Sequence, residues 1–282
     1  MKTAAGAPEK RESKPALHLV GLLDLLGYSQ LVEEFQHNPS VVQDVESVFT
    51  AALKMMESMK SASLGKHSAE WNMMTERMNF RLISDTALIT MPFSELSQLA
   101  GDMKTGENFA VWTESFLDCI CLFCLVIAGK LGYFFRGGIA LGQHYESNPC
   151  NSRNLFMFSQ ALVDANKLMK KEQDRHTPRI LVDEGLFRFL GQHGTDNFLQ
   201  EDGWVFEENG NMVLNVYNAI PVQPKKEGTT APLLSDIRKA LSAGFKKHGH
   251  KEGVAPKYEW LIRYHNRQVS ERFGRPDLKV DV

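Results

Sequence analysis

Two aspartates carry the chemistry open to this chain, and both sit in apolar company. Asp24 interrupts the stretch "HLVGLLDLLGYSQLVEEF" at the end of an apolar run, where an unpaired charge is costly. Asp85 lies between two β-prone runs in "MNFRLISDTALITMPF". If that second stretch is a hairpin beside the first strand, its Ser84-Asp85 tip brings both carboxylates to one edge. Two carboxylates a few ångströms apart call for a cation. Hard divalent ions with oxygen ligands, magnesium or manganese, supply it. Gly27-Tyr28-Ser29 then opens a helix whose free N–H groups suit an anion. A metal beside a helix N-terminus implies a polyphosphate ligand. Either aspartate alone is the common strand-ending or turn-capping residue; the signal lies in their order.

The elements that must position these residues follow from periodicity. Leu17–Asp24 reads as a buried strand and Ser29–Phe35 as a helix. Ser40 is placed to cap a second helix, Val41–Met59. After the loop "SASLGKHSAEWN", Asn79–Ile83 and Thr86–Met91 form the hairpin. Asn108–Leu131 is a long apolar helix, "GYFFRGGIALGQHY" a strand with Gly137-Gly138 permitting close backbone approach. Phe158–Glu172 is an amphipathic helix and Pro178–Val182 a strand. Trp204–Val216 gives two more strands around the turn Glu208-Asn209-Gly210-Asn211. Two helices, Leu233–Lys247 and Tyr258–Arg272, follow a linker that starts at Pro221. This predicts a leader at 1–16, an α/β sandwich at 17–220 and a helical appendage at 221–282.

Composition narrows the classes. With 282 residues, 43% hydrophobic and 23% charged, the chain can bury a sizeable core. A net charge of −2 argues against a protein that coats nucleic acid. The longest apolar run, Cys119–Gly129, is too short for a bilayer, which needs about twenty residues, so it reads as a core helix and no membrane partner is expected. The N-terminus lacks an apolar signal segment. Cys119, Cys121 and Cys124 share that run and Cys150 stands alone, which reads as reduced thiols in a cytoplasmic protein. P-loop, nucleophile-elbow and HExxH motifs are absent.

The order strand-Asp-x-x-Gly-aromatic-Ser-helix, then a hairpin with Ser-Asp at its tip, resembles the class III nucleotide cyclase homology domain. Further stretches add to the likeness. "FFRGGIALG" looks like that family's R-x-G-I-x-x-G strand, and "MFSQALVDANKLMKKE" looks like its catalytic helix. "TPRILVDEGL" and "KYEWLIRYHN" look like the divergent bacterial branch that contains the pyrimidine cyclases of Pycsar antiphage defence. The likeness covers residues 17–190 well and the tail loosely.

The resemblance implies a mostly antiparallel sheet flanked by helices. It also implies two divalent ions, Mg²⁺ or Mn²⁺, held by Asp24 and Asp85 with the Leu25 carbonyl. It places Gly27, Tyr28, Ser29 and Ser84 at the substrate. It implies a homodimer with shared active sites, for which the Gly137-Gly138 region offers an interface. It implies a separate effector that responds to the cyclic nucleotide. Arg81, four positions before Asp85, takes the place of the purine cyclases' base-reading residue, and its donor-only guanidinium suits the carbonyls of uracil. The reaction expected is UTP to cyclic UMP.

Departures leave other readings open. The helix positions that carry Asn and Arg in the family are Val163 and Lys167 here; Lys167 offers a point charge without the fork of Arg. Arg136 is placed to reach phosphate or a metal aspartate, or to serve a structural salt bridge. A cytidylate or purine cyclase, or a catalytically silent nucleotide-binding module, therefore stands beside the uridylate reading. His248-Gly249-His250 reads as a solvent-exposed loop, and Tyr264-His265-Asn266 as tail packing.

Overall fold

The central strand, β1 (Ala16–Leu25), is apolar on both of its faces, with Leu19, Val20 and Leu23 fully buried. The computed structural model describes residues 15–38, 40–61, 77–93, 105–147, 156–174, 177–195, 197–222 and 230–281. The leader up to residue 14, most of the loop after Ser61, Cys150 and most of the linker lie outside them. β1 pairs antiparallel with β3 (Thr86–Pro92) on one side and with β4 (Phe135–Ser147) on the other. β2 (Asn79–Ile83) extends the sheet beyond β3 as the expected hairpin. β5 (Phe156–Ser159) pairs with the far end of β4. β6 (Ile180–Val182) joins β4 in the parallel sense, and the antiparallel pair β7 (Val205–Glu208) and β8 (Asn211–Leu214) closes the order β2-β3-β1-β4-β6-β8-β7. The fold is the mixed α/β sandwich that the sequence predicts.

The strand period of two sorts the packing. One face carries Leu19, Leu23, Ile89 and Met91 against Phe116, Ile120 and Phe123 of α3 (Thr105–Leu131). Two further helices, α1 (Tyr28–His37) and α2 (Ser40–Ser61), stand at this side. By length and composition α3 holds a stretch able to cross a membrane, Asn108–Leu131, but its surface is mostly buried in the core. The other face carries Val20, Leu22, Leu88 and Ala140 against Ala161 and Ala165 of α4 (Gln160–Asp174). A Cβ on Gly138 would lie 2.2 Å from the Ala165 carbonyl oxygen. Only glycine lets α4 lie so close. Gly137 is pressed against the Leu22 carbonyl in the same way. The surface expected at Gly137-Gly138 for a dimer contact is thus taken up inside the chain.

Local chemistry explains the other differences. Asn38, not Ser40, caps α2: its Oδ1 accepts from the Ser40 N–H at 3.3 Å and the Ser40 hydroxyl at 2.8 Å. The helix expected from Phe158 starts at Gln160, because the preceding residues pair with β4. A helix that the sequence reading did not anticipate, α5 (Glu184–Gln192), is capped by Asp183, whose carboxylate accepts from the Gly185 N–H at 2.8 Å. A single turn, α6 (Phe198–Glu201), leads into β7. The expected turn after Glu208 has Asn209 and Gly210 both left-handed, at φ 54° and 71°, as a type I′ turn requires.

The C-terminal helices α7 (Thr230–His248) and α8 (Ala255–Arg267) pack on the sandwich directly. Leu234, Ile237, Leu241, Leu261 and Ile262 share one core with Leu125 and Ala128 of α3. Tyr264-His265-Asn266 packs as expected: Tyr264 donates to Asn215, His265 lies between the Tyr217 hydroxyl and the Leu278 carbonyl, and Asn266 holds Val280.

Candidate active site

Strand register brings the two aspartates together. Asp24 stands opposite Thr86 of β3 on one side and Arg136 of β4 on the other. Just beyond, the Leu25 N–H donates to the Asp85 carbonyl oxygen at 2.8 Å, and the Leu26 N–H donates to the Phe134 carbonyl oxygen at 2.8 Å. These bonds fix the hairpin tip beside the strand end. Ser84, at the exposed tip, has φ 60°, the left-handed conformation a tight hairpin asks of a central residue.

The charges at this corner are unevenly matched. Asp24 is 9% exposed, and its Oδ2 accepts from Arg136 Nη2 at 2.5 Å. Burial pushes the Asp24 carboxyl above its ordinary range; Arg136 pulls it back, and the adjacent Asp85 carboxyl pushes it further up. Arg136 Nε is buried without a hydrogen-bond partner among the described residues. Asp24, with Asp85 beside it, thus pairs with a guanidinium that keeps a donor in reserve.

Gly27 adopts the left-handed conformation, φ 91°, at the N-cap of α1, and no side chain caps that helix. The first-turn backbone of Tyr28 and Ser29 follows it, next to the strand that ends in Asp24. The Leu25 side chain is buried in the main core.

Two predicted residues are paired with other carboxylates of the chain. Arg81 donates through Nη2 to Glu146 Oε2 at 2.6 Å, while its Nη1 is buried without a partner among the described residues. Glu146 also meets His144 Nε2 at 2.8 Å. Burial opposes its charge, but the His144 and Arg81 bonds hold its carboxyl below the usual range. Arg81 takes the strand-pairing role of an arginine, with one amino group left over. Lys167 lies on the exposed side of α4 and donates to Asp164 at 2.7 Å, one turn away. Val163 is exposed on the same helix.

Two residues that meet predicted site residues were not read from the sequence. Glu146 alternates with His144 on β4, so an H-x-E pattern on a predicted strand was the available signal. Lys257 of α8 is close enough to Arg136 and Asp24 for its charge to interact with both, and no motif marks it. His248, read as exposed, instead ends α7 with its ring stacked on Tyr258 and its Nδ1 buried.

No protein-family model matches the chain, and no curated protein matches it. Among solved structures it is similar to two of a bacterial light-regulated adenylyl cyclase. Each is 13% identical with a TM-score of 0.41, over 83% of this chain and 58% or 59% of the other. The adenylyl cyclase CyaB from P. aeruginosa is similar at 10% identity and a TM-score of 0.37, over 77% of this chain and 100% of that one. This chain spans about three fifths of the light-regulated cyclase structures.

Proposed function

We propose that this protein is a nucleotide cyclase that acts as a homodimer on UTP, releasing 3′,5′-cyclic UMP and pyrophosphate as the signal of a cytoplasmic antiphage system with a separate effector. The observation that carries the reading is the corner where Asp24, Asp85 and the uncapped start of α1 meet. Burial raises the Asp24 carboxyl above its ordinary range, and the neighbouring Asp85 carboxyl adds to that rise.

The corner fits divalent ions. Its donors are hard carboxylate oxygens, and a second positive charge would relieve what Arg136 only half neutralises. Among the described residues no group of three or more His, Cys, Asp or Glu side chains converges. Substrate phosphates would complete the ligand set, as is usual for magnesium. Asp24, Asp85 and the Leu25 carbonyl would hold two such ions, which when bound supply positive charge where the entering and leaving oxygens become negative. In the reaction the ribose 3′-oxygen bonds to the α-phosphorus, its proton passes to water, and the bond to the β-phosphate breaks with pyrophosphate leaving. The chain's own part is orientation. Gly27, Tyr28 and Ser29 offer backbone N–H groups to the phosphates, with Ser84 at the hairpin tip, and Arg136 holds Asp24 in place. The exposed side of α4 would bring Lys167 to the other chain's corner in the homodimer.

Base choice falls to Arg81, whose unpartnered Nη1 offers donors to the carbonyls of uracil. The Glu146 carboxylate beside it favours a second reading, since it is an acceptor suited to the amino group of cytosine. The deciding experiment incubates the purified protein with each of the four ribonucleoside triphosphates and manganese, with products identified by mass spectrometry. Cyclic UMP as the dominant product supports the proposal. Dominant cyclic CMP transfers the assignment to cytidine, and no cyclic product from any triphosphate leaves a silent module.

A further inference from the structure

Beside the β1–α1 turn lies a cavity of about 120 Å³ that the sandwich alone does not enclose. Leu26 and Gly27 form one wall; Lys247 and His248 from the end of α7, with Lys257 and Tyr258 from α8, form the opposite one. At roughly 10–15 Å³ of such space per water, it admits about ten atoms, the size of a diphosphate. Its polar character is cationic, with Glu34 the one carboxylate on its rim. Among the described residues neither Lys247 nor Lys257 makes an ion pair or a side-chain hydrogen bond. Lys257 is half-buried; burial and the nearby Arg136 lower its pKa, with Asp24 opposing. His248 adds a buried Nδ1 without a partner among the described residues. The start of α1 at Gly27, uncapped by any side chain, opens on the same space.

We propose that the C-terminal helices complete the polyphosphate site from within the same chain, with Lys257 and Lys247 binding the phosphate tail that the β1–α1 turn receives. This rests on the nucleotide reading above and gives the appendage a role in it. A half-buried ammonium beside a like-charged guanidinium is unfavourable until an anion arrives. Lys257 is therefore a binding residue in waiting, and α7 and α8 act as one wall of the substrate site.

The test uses the full chain without divalent ion, titrated calorimetrically with sodium pyrophosphate and separately with UTP. Wild type is compared with Lys257→Met, Lys257→Gln, Lys247→Met/Lys257→Met, and Lys251→Met in the neighbouring loop as control. Loss of a charge-assisted hydrogen bond predicts about tenfold weaker pyrophosphate binding in either Lys257 variant and about a hundredfold in the double variant. Melting temperatures should be equal to or above wild type, and Lys251→Met should bind normally. A matching loss for UTP makes the nucleotide's own tail the ligand; a loss for pyrophosphate alone makes it a free-phosphate site and overturns the proposal. Unchanged pyrophosphate binding in both Lys257 variants also overturns it. If wild type cyclises no triphosphate yet Lys257→Met loses both ligands, the anion site stands and the cyclase reading falls. If cyclisation is normal in the double variant, the anion site falls alone.

Discussion

Two guanidinium groups in this molecule meet buried acids, and the fold treats them in opposite ways. Arg179 is 2% exposed and spends every nitrogen: Nε and Nη2 on Glu172 at 2.5 and 2.9 Å, and Nη1 on Glu208 at 2.9 Å. Glu208 accepts in turn from Trp260 of α8 at 3.0 Å. The cluster ties α4, β6, β7 and α8 into one body, with every guanidinium nitrogen engaged. Arg136 gives Asp24 a single nitrogen, with Asp85 beside that carboxyl, and keeps Nε unpaired among the described residues. Burying ions is costly, and a network recovers that cost only when every lone pair and proton is used. The first cluster comes close to that condition. The second leaves a buried guanidinium nitrogen unused among the described residues, which is the condition of a site that awaits something.

The sharpest way to break this comparison is to remove a charge from each cluster and see which property fails. Asp85→Asn keeps shape and loses one unit of negative charge at the corner. Cyclisation should fall at least about a thousandfold, equivalent to about 4 kcal/mol of transition-state stabilisation. Its urea-unfolding midpoint should stay at that of wild type, since Asp85 is only half-buried. Near-normal turnover, measured as cyclic nucleotide released per chain, would remove Asp85 from the site.

The reverse holds at Arg179. Arg179→Met strands Glu172, which is 0% exposed, without its cation. Breaking a buried pair from one side costs about 3 kcal/mol or more, so the urea-unfolding midpoint should fall clearly. Whatever folded protein remains should keep its preference among triphosphates, because Arg179 touches none of the corner residues. A variant as stable as wild type would mean that the cluster is not the clasp described here.

The two clusters were unequally legible in the sequence. β1, the hairpin and the conspicuous aspartates could be read because each rests on local pattern: an apolar run, two β-prone runs, a two-residue turn. Their convergence could be read because adjacent strands leave few choices of register. Arg179 could not be assigned its partners: Glu172 lies seven positions away on a separate element and Glu208 lies 29 positions away, and nothing local marks any of the three. Arg81 was read as a base reader, but its partner Glu146 lies 65 positions along the chain. Lys257 escaped notice for a related reason. Its place depends on Leu234, Ile237 and Leu261 packing α7 and α8 onto α3, and apolar spacing shows that a helix packs but not against what. Ser40 was mistaken for a cap because Asn38 carries the same chemistry two positions earlier.

A third buried carboxylate extends the series to the case with no cation at all. Asp118 of α3 makes no ion pair among the described residues. Burial, with the charge of Glu114 added, raises its pKa from 3.8 to about 7. The sign of the linkage follows. The folded state holds the proton more tightly than the unfolded chain, so this contribution to stability is fully present below pH 3.8 and is lost as pH rises through about 7. Asp118→Asn does not titrate and serves as the reference. Between pH 4 and 7, wild type should lose about 1.4 kcal/mol per pH unit relative to that variant, and the difference should level off above pH 7. Urea unfolding of both proteins at half-unit steps measures the slope. A flat difference would show that water or a rearranged neighbour already solvates Asp118. A slope of the predicted sign would rank the three sites by their cations: held through every nitrogen at Arg179, through one at Arg136, missing at Asp118. The middle one combines a guanidinium nitrogen left unpaired among the described residues with a second carboxyl, Asp85, beside the first and a place next to the Leu26-Gly27 turn that lines the cavity. The cyclase proposal rests on that combination rather than on burial alone.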